Sequence, residues 1–148
     1  MYNIGKAVGM NWGGESAGGS GAKTTAISGA LKGTFQYSSA TYSVFGISSY
    51  NTVVSNLNLG EPVLLGGCNN ELTILGIPYK YTHCHEWVCD GYIDTQYTTY
   101  ESLEFHMNWG WGQSYNNYNG WYAYNNWNIP DLGVTYQYAD DMVYNIYP

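Results

Sequence analysis

The hydrophobic pattern of this chain changes after Gly60, and no other feature of the sequence restricts the fold as strongly. Before that glycine, apolar residues recur at helical spacing in residues 20–33 and 49–60, and residues 1–10 read as the end of another helix. After it, aromatic and β-branched stretches alternate with turn residues, which is typical of strands. We therefore expect an α+β fold, with one or two short helices followed by an antiparallel sheet or partial barrel.

Small polar residues and glycines mark the ends of these elements. Ser20 and Ser49 can cap the two helices, and Gly33 ends the first of them. Asn119 and Gly120 form a two-residue hairpin signal. We expect strands at residues 63–65, 85–92, 102–108, 121–124 and 142–147.

Length and charge narrow the class of protein. The 148 residues suit a single domain, residues 1–148, and the net charge is −7, with four lysines and no arginine. A nucleic-acid partner needs a basic surface, so we expect no nucleic acid, and an anionic membrane is disfavoured for the same reason. No apolar run approaches the roughly 20 residues of a membrane span.

Two of the expected strands bring a histidine and an asparagine together. A hairpin that turns near residues 95–96 pairs Val88 with Phe105 and places His85 directly opposite Asn108. Directly opposite residues of an antiparallel pair share one face of the sheet, with Cβ atoms about 5 Å apart. Val88 and Phe105 then lie on the other face, towards the core.

This pair of residues suits acid–base chemistry. A neutral histidine accepts a proton from a thiol when a third group fixes its ring and tautomer. An asparagine oxygen does so without adding charge, as in Cys-His-Asn sites. Trp109 and Trp111 would shield the hydrogen bond between His85 and Asn108 from water.

The segments His85-Glu-Trp-Val-Cys-Asp-Gly-Tyr and His106-Met-Asn-Trp-Gly-Trp-Gly-Gln resemble the two C-terminal signatures of the streptopain family of bacterial cysteine peptidases. In that family the first segment carries the general-base histidine, and the second carries the orienting asparagine and a tryptophan. The resemblance extends upstream and covers residues 1 to about 124.

The resemblance implies a papain-like fold, secretion, and hydrolysis of peptide bonds through a thioester, without a cofactor or metal. It implies that His85 is general base and then general acid, that Asn108 orients it, and that Trp109 is a shield and a wall of the cleft. Three further residues are expected to contact the peptide substrate: Ser20, Gly21 and Trp111.

The chain also departs from the family pattern. The nucleophilic cysteine of the family lies upstream, in a helix that this chain lacks, so we expect a C-terminal half that is inactive alone. It would pair with a cysteine-bearing N-terminal half or with a second copy. Glu86 replaces a small residue, Gln113 replaces a glycine, and residues 68–81 resemble an insertion.

The three cysteines leave other assignments open. Cys68, in a glycine-rich loop, is the flexible candidate for a resident nucleophile, whereas Cys89 lies about 13 Å from His85 along a strand. A buried or disulfide-bonded role is favoured for all three. A zinc site from His83, Cys84, His85 and Cys89 is disfavoured because neighbouring strand residues point to opposite faces.

A non-catalytic role is the alternative from another class. A binding module could stack sugar rings or a protein surface on four aromatic residues: Trp121, Tyr122, Tyr124 and Trp127. A third hypothesis is that the chain is an inhibitor-like decoy derived from the peptidase.

Overall fold

The computed structural model describes residues 2–14 and 20–148. Its α-helices are α1 (Tyr2–Ala7), α2 (Thr25–Gly33) and α3 (Ser49–Asn58). Its strands are β1 (Ser39–Val44), β2 (Val63–Ile74), β3 (Ile77–Gln96), β4 (Glu101–Asn108), β5 (Gly120–Ala123), β6 (Asn128–Ile129), β7 (Val134–Thr135) and β8 (Tyr138–Tyr147). Short 3₁₀ helices occupy Gln113–Tyr118 and Pro130–Leu132.

An antiparallel sheet of six strands, in the order β1-β8-β2-β3-β4-β5, forms the body of the described chain. The α+β class and the antiparallel sheet are as predicted. The helices do not all come first, because β1 precedes α3 and pairs with β8. β1 escapes prediction because its small and polar residues show no clear apolar alternation. β1 and β5 are the two edges of this sheet.

Ser20 and Ser49 do not cap the helices in the expected way. α2 begins at Thr25, and the Ser20 hydroxyl instead accepts a hydrogen bond from the Gly13 N–H and donates to the Gly13 carbonyl, both at 3.2 Å. Ser49 is already inside α3, and its oxygen accepts from the Gly46 N–H at 2.9 Å. Both hydroxyls thus stabilise the loops in front of the helices.

α3 is joined to the last strand through one buried amide. Asn56 is only 3% exposed. Its Nδ2 donates to the Thr52 carbonyl at 2.9 Å, and its Oδ1 accepts from the backbone N–H of Asn145 in β8 at 2.6 Å. Because both ends of the amide are hydrogen-bonded, its burial is not penalised, and it fixes the helix against the sheet.

The β2–β3 hairpin extends beyond the sheet as a two-stranded arm, residues 69–82. β8 pairs with β2 only as far as Cys68, and β4 pairs with β3 only from Val88 onward. Leu75 and Gly76 form the turn of the arm, with positive φ angles of 52° and 77°. The segment that resembled an insertion is therefore most of this arm, and β2 is much longer than expected.

The register of β3 and β4 differs from the expected one. Their turn lies at residues 97–100, later along the chain than expected, and a bulge at Asp90 shifts the pairing again. Val88 consequently pairs with Asn108 rather than with Phe105. Since turn position sets the register of a hairpin, a small error there changes every cross-strand neighbour.

This register also changes which side of β3 faces the core. His85 lies beyond the end of β4 and pairs with Gly67 of β2. Trp87 and Cys89 are buried on its side of the strand, whereas Val88 is half-buried on the other side. The buried cluster consists of residues from α3, from β2, β3, β4, β6 and β8, and from the loops after β4, β5 and β7: Val53, Val63, Leu65, Trp87, Cys89, Phe105, Met107, Trp109, Trp127, Ile129, Tyr136 and Met142.

The Asn119 and Gly120 pair does not form a two-residue hairpin. β4 and β5 are adjacent strands, but residues 109–119 connect them and include the 3₁₀ helix Gln113–Tyr118. A strand begins at Gly120, as the pattern indicated. The contribution of Asn119 comes from its side chain, which contacts the backbone of Trp109, rather than from its turn propensity.

Candidate active site

His85 lies among aromatic rings on the core-facing side of β3. The side chain is half-buried, and its ring centroid lies 5.3 Å from that of Trp111 and 5.7 Å from that of Tyr136. Its cross-strand neighbour Gly67 leaves no room for a side chain, because a Cβ there would lie 2.7 Å from the Tyr136 carbonyl oxygen. Glycine at this position therefore allows the chain around Tyr136 to approach His85.

One hydrogen bond determines the tautomer of His85. Its Nε2 lies 2.7 Å from the backbone carbonyl oxygen of Trp109. A carbonyl oxygen only accepts, so Nε2 must carry the proton. In the neutral ring Nδ1 is then the unprotonated nitrogen, and it is the atom that can accept a proton from another group.

The surroundings of His85 keep its ring neutral. Burial lowers the pKa of His85 below its usual value, and the hydrogen bond to Trp109 and the charge of Glu86 oppose this effect without reversing it. The imidazole is therefore the free base at neutral pH, which a general base requires.

Asn108 does not lie opposite His85. Its Oδ1 accepts from the Gly110 N–H at 3.2 Å and lies 3.5 Å from the Nδ2 of Asn119. Within the part of the chain that the structure describes, the group that binds the His85 Nε2–H is the Trp109 carbonyl. Asn108 thus acts on the turn after β4 rather than on the imidazole directly.

Trp109 is a core residue rather than a surface of a cleft. Its side chain is fully buried, and its Nε1 donates to the Tyr118 carbonyl at 3.0 Å. Its ring lies 4.6 Å from that of Trp87 and 5.4 Å from that of Trp111, nearly parallel to the latter. These rings surround the His85 hydrogen bond with apolar surface, which agrees with a shielding role.

Trp111 is the half-exposed member of this aromatic group. It lies against the His85 ring on one side and borders a shallow surface groove with Tyr115 and Leu132 on the other. This position is compatible with contact to a substrate, so the expectation for Trp111 remains a prediction.

Ser20 and Gly21 lie at the end of the glycine/serine loop. The Gly21 backbone pairs with Asn11 through two hydrogen bonds of 2.8 and 3.0 Å. Residues 15–19 of this loop lie outside the described residues, as does Met1. Within residues 2–14 and 20–148, no hydrogen bond joins Ser20 or Gly21 to His85, and their role in substrate binding is still a prediction.

The three cysteines all lie among the described residues. Cys68 and Cys84, directly paired across β2 and β3, form a disulfide, so Cys68 is not a loop thiol. Cys89 is buried, and burial raises the pKa of its thiol to about 12. None of the three is therefore a thiolate at neutral pH.

Two alternative sites are not assembled by the fold. The described residues contain no group of three or more His, Cys, Asp or Glu side chains arranged to hold a metal ion. The four aromatic residues of the binding-module reading do not share a surface, because Trp121 is exposed while Trp127 is buried and Tyr122 packs edge-on against Trp109.

The fold brings three residues to the site that the sequence patterns did not indicate: Gly67, Asn119 and Tyr136. The position of Asn119 before a glycine is visible in the sequence, but it predicted a hairpin turn rather than a residue of the site. No sequence signal indicated Gly67 or Tyr136, since nothing local shows that their backbones lie close together across the fold.

Two acidic side chains lie near His85 on different faces of the sheet: Glu86 on the face opposite His85, and Asp140 beside Gly67, the cross-strand neighbour of His85. Glu86 accepts a hydrogen bond from the Thr24 hydroxyl at 2.8 Å. In β8, burial and the neighbouring charge of Asp141 raise the pKa of Asp140 to about 6. The Oδ1 of Asp140 is buried and has no hydrogen-bond partner among the described residues.

None of the helices described is long and apolar enough to cross a membrane. The neutral imidazole of His85 has its Nε2–H bound to a carbonyl and its Nδ1 free of that bond, which is the arrangement that a general base in a nucleophilic hydrolase requires. The model of the Peptidase C10 family matches residues 1–122. The chain therefore belongs to the peptidase C10 family, the streptopain family of cysteine peptidases. No curated protein matches the chain.

Proposed function

We propose that this chain supplies the general base of a cysteine endopeptidase, and that His85 acts on a thiol other than the chain's own three cysteines. The supporting observation is the 2.7 Å hydrogen bond from Nε2 to the Trp109 carbonyl, which leaves Nδ1 as the proton acceptor. Membership of the family supplies the reaction type.

In the proposed reaction, Nδ1 of His85 removes the proton of the thiol, and the thiolate attacks the carbonyl carbon of a peptide bond. The imidazolium then gives this proton to the leaving amine as the tetrahedral intermediate collapses to a thioester. His85 next removes a proton from water, which hydrolyses the thioester and regenerates the thiol. The Trp109 carbonyl stabilises the imidazolium through the Nε2–H.

The states of the three cysteines support a thiol from outside this chain. Cys68 and Cys84 are bonded to each other, and Cys89 has a pKa of about 12. The chain alone is thus proposed to be inactive, and its partners to be a cysteine-bearing half of the peptidase domain, or a second copy, together with a peptide substrate.

Extracellular function is part of the same proposal. The disulfide between Cys68 and Cys84 supports it, because disulfides persist in oxidising compartments and are rare in a reducing cytosol.

The test is reconstitution. The chain is mixed with a polypeptide that carries the cysteine helix of a peptidase C10 member, and hydrolysis of a quenched fluorescent peptide is followed. His85→Ala should lower the rate by about 10²- to 10⁴-fold, the usual contribution of a general base. His106→Ala is the matched control, because His106 is half-buried on the same sheet but pairs with Asp90 at 2.6 Å.

Two results would contradict the proposal. If the mixture hydrolyses the peptide equally well with His85→Ala, His85 is not the base. If an epoxysuccinyl inhibitor labels the isolated chain, and His85→Ala abolishes the labelling in intact-mass spectra, the nucleophile is a resident cysteine. Binding without any hydrolysis would favour the non-catalytic module or the decoy.

A further inference from the structure

The side chain of Asn119 holds the turn that follows β4 at two points. Its Oδ1 accepts from the backbone N–H of Trp109 at 2.9 Å, and its Nδ2 lies 3.5 Å from the Oδ1 of Asn108. That same Asn108 oxygen accepts from the N–H of Gly110 at 3.2 Å. One amide thereby connects the residues on both sides of Trp109.

These contacts converge on the peptide unit that binds His85. The N–H of Gly110 and the carbonyl of Trp109 belong to the same peptide group, so fixing one end fixes the direction of the other. That carbonyl accepts the Nε2–H of His85 at 2.7 Å. Gly110 has a φ of +73°, which non-glycine residues rarely adopt, so this turn depends on specific contacts for its geometry.

We infer that Asn119 is a positioning residue for His85: through Asn108 and the Trp109 backbone it aims the carbonyl that fixes the imidazole tautomer and orientation. The catalytic meaning of this inference rests on the proposed function. The hydrogen-bond relay itself does not, because it is a property of this chain alone.

The primary measurement is nuclear magnetic resonance of the ¹⁵N-labelled chain, with His85→Gln to assign the imidazole signals. In the wild type, the His85 Nε2–H should give a downfield, slowly exchanging proton signal, because it is hydrogen-bonded and shielded by aromatic rings. In Asn119→Ala this signal should be lost to exchange with water. The pKa of His85 should also fall further below its usual value, because the bond to Trp109 opposes burial.

Two comparisons separate positioning from general structural damage. Asn119→Asp keeps an acceptor for the Trp109 N–H but loses the donor to Asn108, so its Nε2–H signal should be intermediate between those of the wild type and Asn119→Ala. Asn126→Ala removes an exposed asparagine outside the relay and should change nothing. The titratable neighbours of the ring, Glu86, Tyr136 and Asp140, are unchanged in Asn119→Ala, so a change in its His85 titration reports the hydrogen bond. Asn119→Asp adds a carboxylate and is therefore compared by the Nε2–H signal alone.

A folded Asn119→Ala chain with an unchanged Nε2–H signal and titration would overturn the inference, as would a wild-type chain without that signal. If circular dichroism shows that Asn119→Ala does not fold, Asn119→Ser is measured in its place. The serine hydroxyl can bind water where the amide was, so this variant also removes the amide contacts but leaves a polar group at the position. In the reconstituted enzyme, kcat should fall about ten- to a hundredfold with KM little changed. Absence of all activity would reject the proposed function and leave the spectroscopic result standing.

Discussion

Two partly buried groups, His85 and Asp140, should make the stability of this chain depend on pH in opposite directions. Burial lowers the pKa of His85, so the folded state favours its neutral ring. Burial also raises the pKa of Asp140 to about 6, so the folded state favours the protonated acid. His85 therefore loses its contribution to stability as the pH falls, and Asp140 loses its own as the pH rises.

Asp140 gives the clearer prediction. Its contribution is fully present below the unfolded pKa of 3.8 and is lost as the pH rises through about 6. Asp140→Asn should therefore raise the free energy of unfolding at pH 7.5 by about 1–2 kcal/mol, allowing for solvent screening of a partly exposed group, and by little at pH 4. Urea unfolding at both pH values measures this. The exposed Asp131→Asn is the control, and an equal gain at both pH values would contradict the prediction.

The candidate site was only partly predictable at this scale. The family signatures identify His85, Asn108 and Trp109, but not the atom that binds the imidazole. That atom is a backbone carbonyl, which every residue carries, so no side-chain pattern can indicate it. Asn119 was missed for a related reason, because its amide reaches the site only after the chain has folded back along β4.

Among the elements, the β2–β3 arm carries the clearest local conflict between sequence and conformation. Leu75 occupies the first position of its tight turn with a φ of +52° and is 97% exposed. A branched apolar residue is disfavoured in this left-handed conformation, and it gains nothing from burial here. Two-residue hairpin turns of this kind favour Asn-Gly, and Gly76 already supplies the second residue.

Leu75→Asn should therefore stabilise the chain by about 0.5–1 kcal/mol, because the strain of a left-handed leucine is about 1–2 kcal/mol and asparagine relieves part of it. The free energy of unfolding in urea is the measurement. Leu59→Asn serves as the control, since Leu59 is also largely exposed but has a φ of −86°. If both substitutions change stability equally, the backbone explanation is wrong.

Elements were easier to predict than their pairing. The helices and most strands follow from hydrophobic spacing and from glycines such as Gly60. The register of β3 and β4 does not, because the Asp90 bulge and the turn at residues 97–100 depend on contacts across the whole sheet. The arm was missed because its exposed strands show no buried face.

At the scale of the whole molecule, apolar surface remains exposed around α1. Tyr2 and Trp12 stack on each other there, with ring centroids 6.2 Å apart, and Ile4 is exposed on the same short helix. Exposed apolar residues of this kind, when clustered, indicate a contact surface. This agrees with the proposed association with a second polypeptide or a second copy.

We expect the isolated chain to self-associate, and Ile4→Ser to weaken this association by about tenfold or more, since burial of one isoleucine contributes about 1.5–3 kcal/mol. Sedimentation velocity over a wide concentration range measures the equilibrium. Ile47→Ser is the control, because Ile47 is almost fully exposed and lies in the loop between β1 and α3. A wild-type monomer at all concentrations would contradict the prediction.

The disulfide at the base of the arm has a practical consequence for any enzyme built from this chain. A thiol nucleophile works only when reduced, and reductants such as dithiothreitol are routinely added to keep it so. The same reagents attack the bond between Cys68 and Cys84, which joins β2 to the strand that carries His85. Activity should therefore pass through a maximum as the reductant concentration is increased. Too little reductant leaves the nucleophile oxidised, and too much reduces the disulfide next to the strand segment that carries His85.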